Sequence, residues 1–268
     1  VIMIKLVATD MDGTFLNRQG SFDKARLRAV LDDFAQKGIL FAAASGRPLL
    51  ALEKMFADYH HQMAFIAENG TLVKADGSII FESGLSKPAY LDIIDTLLDN
   101  LYLSGYDFLL SGEKGAYLHQ KASDEYAHFI SHYYENVQRV PNLAHIEDAI
   151  LKVTANFSGD TVRQGEAWFN QRVDFARAVT TGFKSVDIID SRVNKRTGLE
   201  ALCQAFEIDS SEVLAFGDNL NDFEMMGFAG TAIATQNARP EIKNISDEVI
   251  GDCDEEVVMT YMERLAKP

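Results

Sequence analysis

The stretch IKLVATDMDGT, residues 4–14, decides the fold. Its apolar run from Ile4 to Thr9 has the length and β-branched content of a buried strand, and it runs directly into two carboxylates, Asp10 and Asp12, followed by a glycine. Side chains at i and i+2 just beyond a strand can reach one point, because the turn ends the strict alternation of faces. Gly13 lets the backbone bend sharply and approach a ligand. Two readings follow. Asp10 attacks phosphorus to give an aspartyl phosphate while Asp12 protonates the leaving oxygen, or the motif is a polar strand end or an isolated Ca²⁺ or Mg²⁺ loop.

The sequence around it separates the two. Short apolar runs recur at Ile39 to Ala44, Met63 to Ala67, Glu212 to Phe216 and Thr231 to Ala234, each near a polar or Gly-containing turn and a segment of helical period. That rhythm predicts a parallel α/β sheet covered on both faces. Leu27, Val30, Leu31 and Phe34 form one helix stripe, with Gly38 placed to cap its end. Pro48 is expected in the first turn of the next helix, whose stripe is Leu52, Met55, Phe56 and Tyr59, and Leu199, Leu202, Cys203 and Phe206 repeat the pattern. Three further polar groups fall at C-terminal strand ends: Ser45-Gly46-Arg47, Asn69-Gly70, and Gly217 to Asp222. In an open parallel sheet ligands bind outside those ends, so four segments converge on one crevice. Lys195, ahead of the helix leading to the fourth strand, is a fifth element.

In motif content and order, residues 4–70 and 187–254 resemble the haloacid dehalogenase superfamily, and within it the Cof-type phosphatases that include bacterial sugar phosphatases. Asp10 and Asp12 match the first motif, Ser45 the hydroxyl motif, Lys195 the basic motif, and Asp218 with Asp222 the acidic motif. The resemblance implies a Rossmann-like parallel-sheet α/β core, residues 1–82 and 185–268, with an inserted α+β cap, residues 83–184, that sets substrate specificity. Within that insert the pattern predicts a helix near Tyr90 to Leu103, two short strands about the turn Ser111 to Gly115, and then helix, strand, helix and strand from Asp124 to Ser185.

The expected chemistry follows from charge. A phosphate monoester is about a dianion near pH 7 and a carboxylate nucleophile is also an anion, so their approach needs a cation. Mg²⁺ is the expected cofactor, with Asp10, Asp218 and the carbonyl of Asp12 as ligands and Asp222 close by. Ser45 and the Gly46 N–H would hold phosphoryl oxygens and Lys195 would neutralise the transferring group. Asn69 and Asn221 are second contacts, and Arg47 reaches the leaving group or the cap. As alternatives, Asp218 and Asp222 are turn formers, Lys195 a solvated surface lysine and Asn69-Gly70 an ordinary turn pair. Five such coincidences in family order weigh against them.

Composition limits the partners. Twenty-five basic and 40 acidic residues give a formal charge of −15, which offers no general attraction for nucleic acid or an anionic membrane. The expected ligand is a small phosphorylated metabolite, and no segment identifies a protein partner. Cys203 and Cys253 are too few to staple the chain and fit a reduced, cytoplasmic setting. Val1 to Thr9 lacks the flank, length and cleavage site of a signal peptide and is expected to be a buried strand. His128 and His132 stand at i, i+4 near Glu125, but Phe129, Tyr133 and Tyr134 beside them read as a half-buried helix with polar tips rather than a metal pair. Met225 and Met226 with Phe223 and Phe228 read as core. Two rivals share the motif set: a sugar phosphomutase, in which a hydroxyl replaces water as acceptor, and a non-catalytic sugar-phosphate sensor, which has no need of a second carboxylate aimed at the leaving group.

Overall fold

The computed structural model describes residues 3–182 and 184–267; Val1 and Ile2 of the expected first strand, Phe183 of the expected insert and Pro268 of the expected core lie outside them. In the first half of the chain, strand β1 (Leu6–Thr9) leads to helix α1 (Lys24–Lys37), then β2 (Leu40–Ala44), α2 (Leu49–Met55) and β3 (Met63–Ala67). Helix α1 starts where the Asp23 carboxylate accepts the Arg26 N–H, and it ends at Gly38, whose φ of 67° lets its N–H return to Ala35 and Phe34. Pro48 sits one position earlier than expected, as the extended residue before α2, and that helix stops before Phe56 and Tyr59, which are buried beyond its end.

Strands β1, β2 and β3 lie parallel, and β1 also pairs in parallel with β12 (Val213–Gly217), Leu6 opposite Val213 and Leu40. Beyond β12 come β13 (Thr231–Ala234) and β14 (Glu248–Val249), giving the order β14-β13-β12-β1-β2-β3-β4-β5. The last two, β4 (Leu72–Ala75) and β5 (Ser78–Glu82), form an antiparallel hairpin, so the sheet is not parallel throughout. Both faces are covered. Val7, Phe41, Phe65 and Phe216 pack with α1 and α9 (Val257–Ala266) on one side. Leu6, Ala8, Ala42, Ile66 and Ala215 pack with α6 (Lys195–Ala205) and α7 (Phe223–Phe228) on the other. Burial on both faces is why these strands read as continuous apolar runs.

The second sheet follows α3 (Lys87–Leu98) and runs β10-β11-β9-β6-β7-β8. Its strands are β6 (Leu103–Gly112), β7 (Ala116–His119), β8 (Val137–Val140), β9 (Ile150–Phe157), β10 (Ala176–Gly182) and β11 (Ser185–Asp190), with α4 (Asp124–Ile130) and α5 (Val162–Asn170) between them. It is antiparallel except between β7 and β8. Strand β11, on the core side of the expected boundary at residue 184, pairs with β9 and β10 and so belongs to this sheet. Phe108, Leu110, Val153, Ala155, Val186 and Ile188 pack with residues of α3 and α5 in one apolar cluster, while Ser111, Lys152, Thr154 and Asp187 alternate onto the opposite face. That polar face is nevertheless buried. No helix among the described residues is long and apolar enough to cross a membrane.

Candidate active site

The end of β1 is tied to that of β12 by the Asp10 N–H, which donates to the Phe216 carbonyl at 3.0 Å. This puts Asp10 beside the turn that follows Gly217. The Asp10 side chain is buried, and its Oδ1 accepts a hydrogen bond from Lys195 Nζ at 2.6 Å. The Thr14 hydroxyl lies 3.2 Å from Asp10 Oδ2 and 2.9 Å from Asp218 Oδ1. Gly13 makes the approach possible: its φ is +84°, and a Cβ there would lie 2.5 Å from Asp218 Oδ2. Its carbonyl is held from behind by Asn237 Nδ2 at 2.7 Å.

Lys195 is fully buried and is the cation of the cluster, with Nζ 2.6 Å from both Asp10 Oδ1 and Asp222 Oδ1. It begins α6, which is capped by a reciprocal pair of bonds between Asn194 and Thr197. The capping residue is itself pressed against the neighbouring loop, since a Cβ on Gly70, with φ +100°, would fall 1.9 Å from the Asn194 carbonyl oxygen. Asp222 gives its second oxygen to the N–H groups of Asp218 and Asn219, at 2.9 and 3.1 Å. Its oxygens are thus committed to Lys195 and to the shape of its own loop.

Oxygens of Asp10, Asp218 and Asp222 lie within 4.8 Å of one another. Burial, then the charge of Asp222, pushes the Asp10 carboxyl up to about 6 against the pull of Lys195. Burial followed by Asp10 and Asp222 pushes Asp218 up to about 9. Lys195 moves the other way: burial would strip its proton, but Asp10 and Asp222 outweigh that and hold it charged. The cluster therefore has more negative charge than one lysine balances, and its donors are hard oxygens, a set that could hold a small divalent cation.

Asp12, two residues on, is half exposed and forms a two-pronged pair with Arg47, Nε to Oδ2 at 2.8 Å and Nη2 to Oδ1 at 2.6 Å. The guanidinium carbon also lies 5.2 Å from the ring centre of Tyr133, just beyond α4. Of the two destinations expected for Arg47 its contacts include the second sheet's side, together with an unforeseen bond to Asp12. Ser45 is buried at the end of β2, its Oγ accepting the Arg47 N–H at 3.0 Å. Asn69 adopts φ 56°, ψ 31°. Its Nδ2 donates to Asp187 Oδ2 at 2.6 Å, and its Oδ1 accepts from Asn221 Nδ2 at 3.1 Å.

The sequence-selected residues thus occur at the C-terminal edge of the first sheet, except Lys195, which begins α6. His128 and His132 do not join them; His132 Nδ1 lies 3.0 Å from the His128 carbonyl oxygen, within its own segment. Sequence reasoning missed Thr14, Asn237, Glu68, Lys152 and Asp187. The one signal available was a lysine inside the apolar strand ILKVTANF, residues 150–157.

Comparison with known proteins bears on the family and the fold. Residues 7–262 match the family model of the haloacid dehalogenase-like hydrolases. The chain is 32% identical over 265 residues, 98% of its length and 97% of the relative's, to 5-amino-6-(5-phospho-D-ribitylamino)uracil phosphatase YbjI of Escherichia coli. It is 26% identical over 268 residues to the HMP-PP phosphatase of Cronobacter sakazakii, covering 97% and 95% of the two chains. Among solved structures it superposes on SMU.1108c of Streptococcus mutans with a TM-score of 0.91 at 27% identity, over 97% and 98% of the two chains. The subclass IIB sugar phosphatase BT4131 has the same fold, TM-score 0.82 at 16% identity over 97% and 98% of the chains. This chain belongs to the haloacid dehalogenase-like hydrolase family.

Proposed function

We propose that this protein hydrolyses small phosphate monoesters in two in-line steps through a phosphorylated Asp10. The observation that carries the reading is the separation of the two carboxylates. Among the described residues, Asp10 is buried with one oxygen on Lys195 and the other beside the Thr14 hydroxyl, with no cation on it, while Asp12 is half exposed two residues away. In the first step an Asp10 oxygen attacks phosphorus as the bond to the alcohol oxygen breaks and Asp12 protonates that oxygen; in the second Asp12 takes a proton from water as the water attacks phosphorus, and the bond to Asp10 breaks to return its carboxylate and release orthophosphate. Ser45 and the Gly46 N–H hold phosphoryl oxygens, and Lys195 offsets the charge that collects on them. Asn69 and Asn221 keep this edge in shape, and Asp222 orients Lys195 and the loop of Asp218.

The donor set fits Mg²⁺, with Asp10, Asp218 and the Asp12 carbonyl as the groups that would hold it and Asp222 beside them. When bound, Mg²⁺ neutralises charge between an anionic nucleophile and an anionic phosphate. The second sheet, which we place at residues 83–190 because β11 pairs within it, is proposed to act as the cap that admits substrate and excludes water.

The relatives' names favour a phosphorylated small metabolite, and the name of the Escherichia coli relative, a phosphate on a ribityl chain, favours a sugar or sugar-alcohol phosphate. The test is release of inorganic phosphate from a panel that includes sugar phosphates and 5-amino-6-(5-phospho-D-ribitylamino)uracil, with Mg²⁺ and with EDTA. Mg²⁺-dependent phosphate release is expected, and is lost in Asp10→Asn. An isomerised sugar phosphate in place of free phosphate would assign phosphoryl transfer instead, and binding without turnover would assign a sensor.

A further inference from the structure

The buried polar face of the second sheet holds a charge that the reaction above does not use. Lys152 on β9 is 1% exposed, and its ammonium donates to the Gly46 carbonyl and, at 3.0 Å, to Asp187 Oδ2, with Glu68 Oε2 at 3.3 Å. Glu68 also accepts from Ser111 Oγ at 2.6 Å, and Asp187 from Thr154 Oγ1 at 2.8 Å and from Asn69. Gly46, Glu68 and Asn69 follow strands of the first sheet, whereas Lys152, Asp187, Ser111 and Thr154 belong to the second. The network therefore spans both. Stability alone is a poor reason for it, since a buried ion pair can often be replaced by apolar side chains without loss.

Its geometry supplies another reason. The Gly46 carbonyl and the Arg47 N–H are opposite ends of one planar peptide unit, so fixing one fixes the other. Lys152 holds the carbonyl end, and the N–H end donates to Ser45 Oγ. A hydroxyl has a single proton, and with its oxygen turned to the main chain Ser45 keeps that proton to give away. We infer that Lys152 is a positioning residue for phosphate binding, a cation on the cap that fixes the Gly46–Arg47 peptide and through it the Ser45 hydroxyl that donates to a phosphoryl oxygen. The inference rests on the phosphatase reading above and deepens it: the phosphate-binding turn is fully braced only while the second sheet covers it.

A double-mutant cycle between Lys152→Met and Ser45→Ala tests this, read on kcat/KM and, separately, on the affinity for orthophosphate with Mg²⁺ measured by calorimetry. Lys152→Met should lower both by roughly 10-fold, about the worth of one well-placed hydrogen bond. In the Ser45→Ala background the same replacement should change them by less than about 2-fold, because the group it acts through is gone. Lys152→Met strands two buried carboxylates, so the cycle is also run with Lys152→Met/Glu68→Gln, which removes one of those charges. A lowered Tm with unchanged kcat/KM and orthophosphate affinity, or an equal loss in both backgrounds, would show Lys152 to be structural only. If the wild-type protein binds orthophosphate but hydrolyses no monoester, the phosphatase reading fails and the cycle is judged on binding. Failure of both wild-type measurements overturns both.

Discussion

Two neighbouring aspartates invite the objection that their roles are interchangeable, and their surroundings answer it. Asp10 is locked to a buried lysine, whereas Asp12 is half exposed and its only ionic partner among the described residues is Arg47. If Asp12 is the general acid, Asp12→Ala should slow attack on a sugar phosphate by about 10² to 10⁴. Para-nitrophenyl phosphate has a leaving group that needs little protonation, so stopped-flow traces should keep a nitrophenol burst and then turn over slowly. Equal loss of the first step for both substrates would deny Asp12 that role. Asp218 is judged through the metal. Asp218→Ala should raise the Mg²⁺ concentration for half activity by more than the roughly 10 to 100-fold that loss of an outer-shell partner costs. Ca²⁺, larger and looser in coordination, should support turnover poorly; full activity in chelator would show that the acidic cluster serves something else. Residues 10, 12, 45, 195, 218 and 222 were legible in the sequence because each follows or precedes a recognisable strand or helix end. Lys152, Glu68 and Asp187 were not, because what joins them is an encounter between two sheets that no local spacing records.

At the scale of elements, the parallel strands were legible because burial on both faces leaves an unbroken apolar run, and α1 because its apolar stripe and the glycine that caps its end agree. The β4–β5 hairpin escaped notice: Ile79 and Ile80 are 47% and 36% exposed at the sheet's edge, so the run shows no alternation between an apolar and a polar face. Between α4 and α5 one strand was expected and two occur, β8 and β9; β8 has the weaker apolar signal, being four residues long with Gln138 and Arg139 exposed at its centre. The elements also carry a prediction about how the site is held. Gly70 lies against the capping residue of α6, and a methyl group there meets the Asn194 carbonyl in a backbone conformation that already disfavours alanine. Gly70→Ala should cost about 1–3 kcal/mol from crowding alone and lower Tm by roughly 2–12 °C. Activity should fall with it, since Lys195 begins that helix. Gly20→Ala, also at positive φ but with nothing within 4 Å, should pay only the conformational strain. A calorimetric scan giving the two variants the same Tm would show that the Gly70 contact relaxes without consequence.

For the whole molecule, the charge of −15 and the second sheet act in the same direction on substrate choice. An acidic surface gives a phosphoprotein no electrostatic help in docking, and the second sheet, in its proposed role as a cap, would limit what can reach Asp10. Phosphate release from sugar phosphates should therefore exceed release from a folded phosphoprotein by orders of magnitude; efficient dephosphorylation of the protein with sugar phosphates inert would contradict the cap's assigned role. The core of this arrangement could be anticipated from both ends of the chain, whereas the order of strands in the insert could not, because its specificity and packing depend on contacts rather than on motifs. The claim on which everything else depends is that phosphate passes through Asp10. It is tested most directly by quenching the protein during turnover of para-nitrophenyl phosphate, reducing with borohydride and sequencing the peptides by mass spectrometry, with Asp12→Ala used to slow the second step while the first stays fast, so that the intermediate accumulates. An aspartyl phosphate is reduced to homoserine, and the account predicts homoserine at position 10, dependent on substrate and absent from Asp10→Asn. Turnover with position 10 unmodified, or homoserine at another carboxylate such as Asp218, would contradict it.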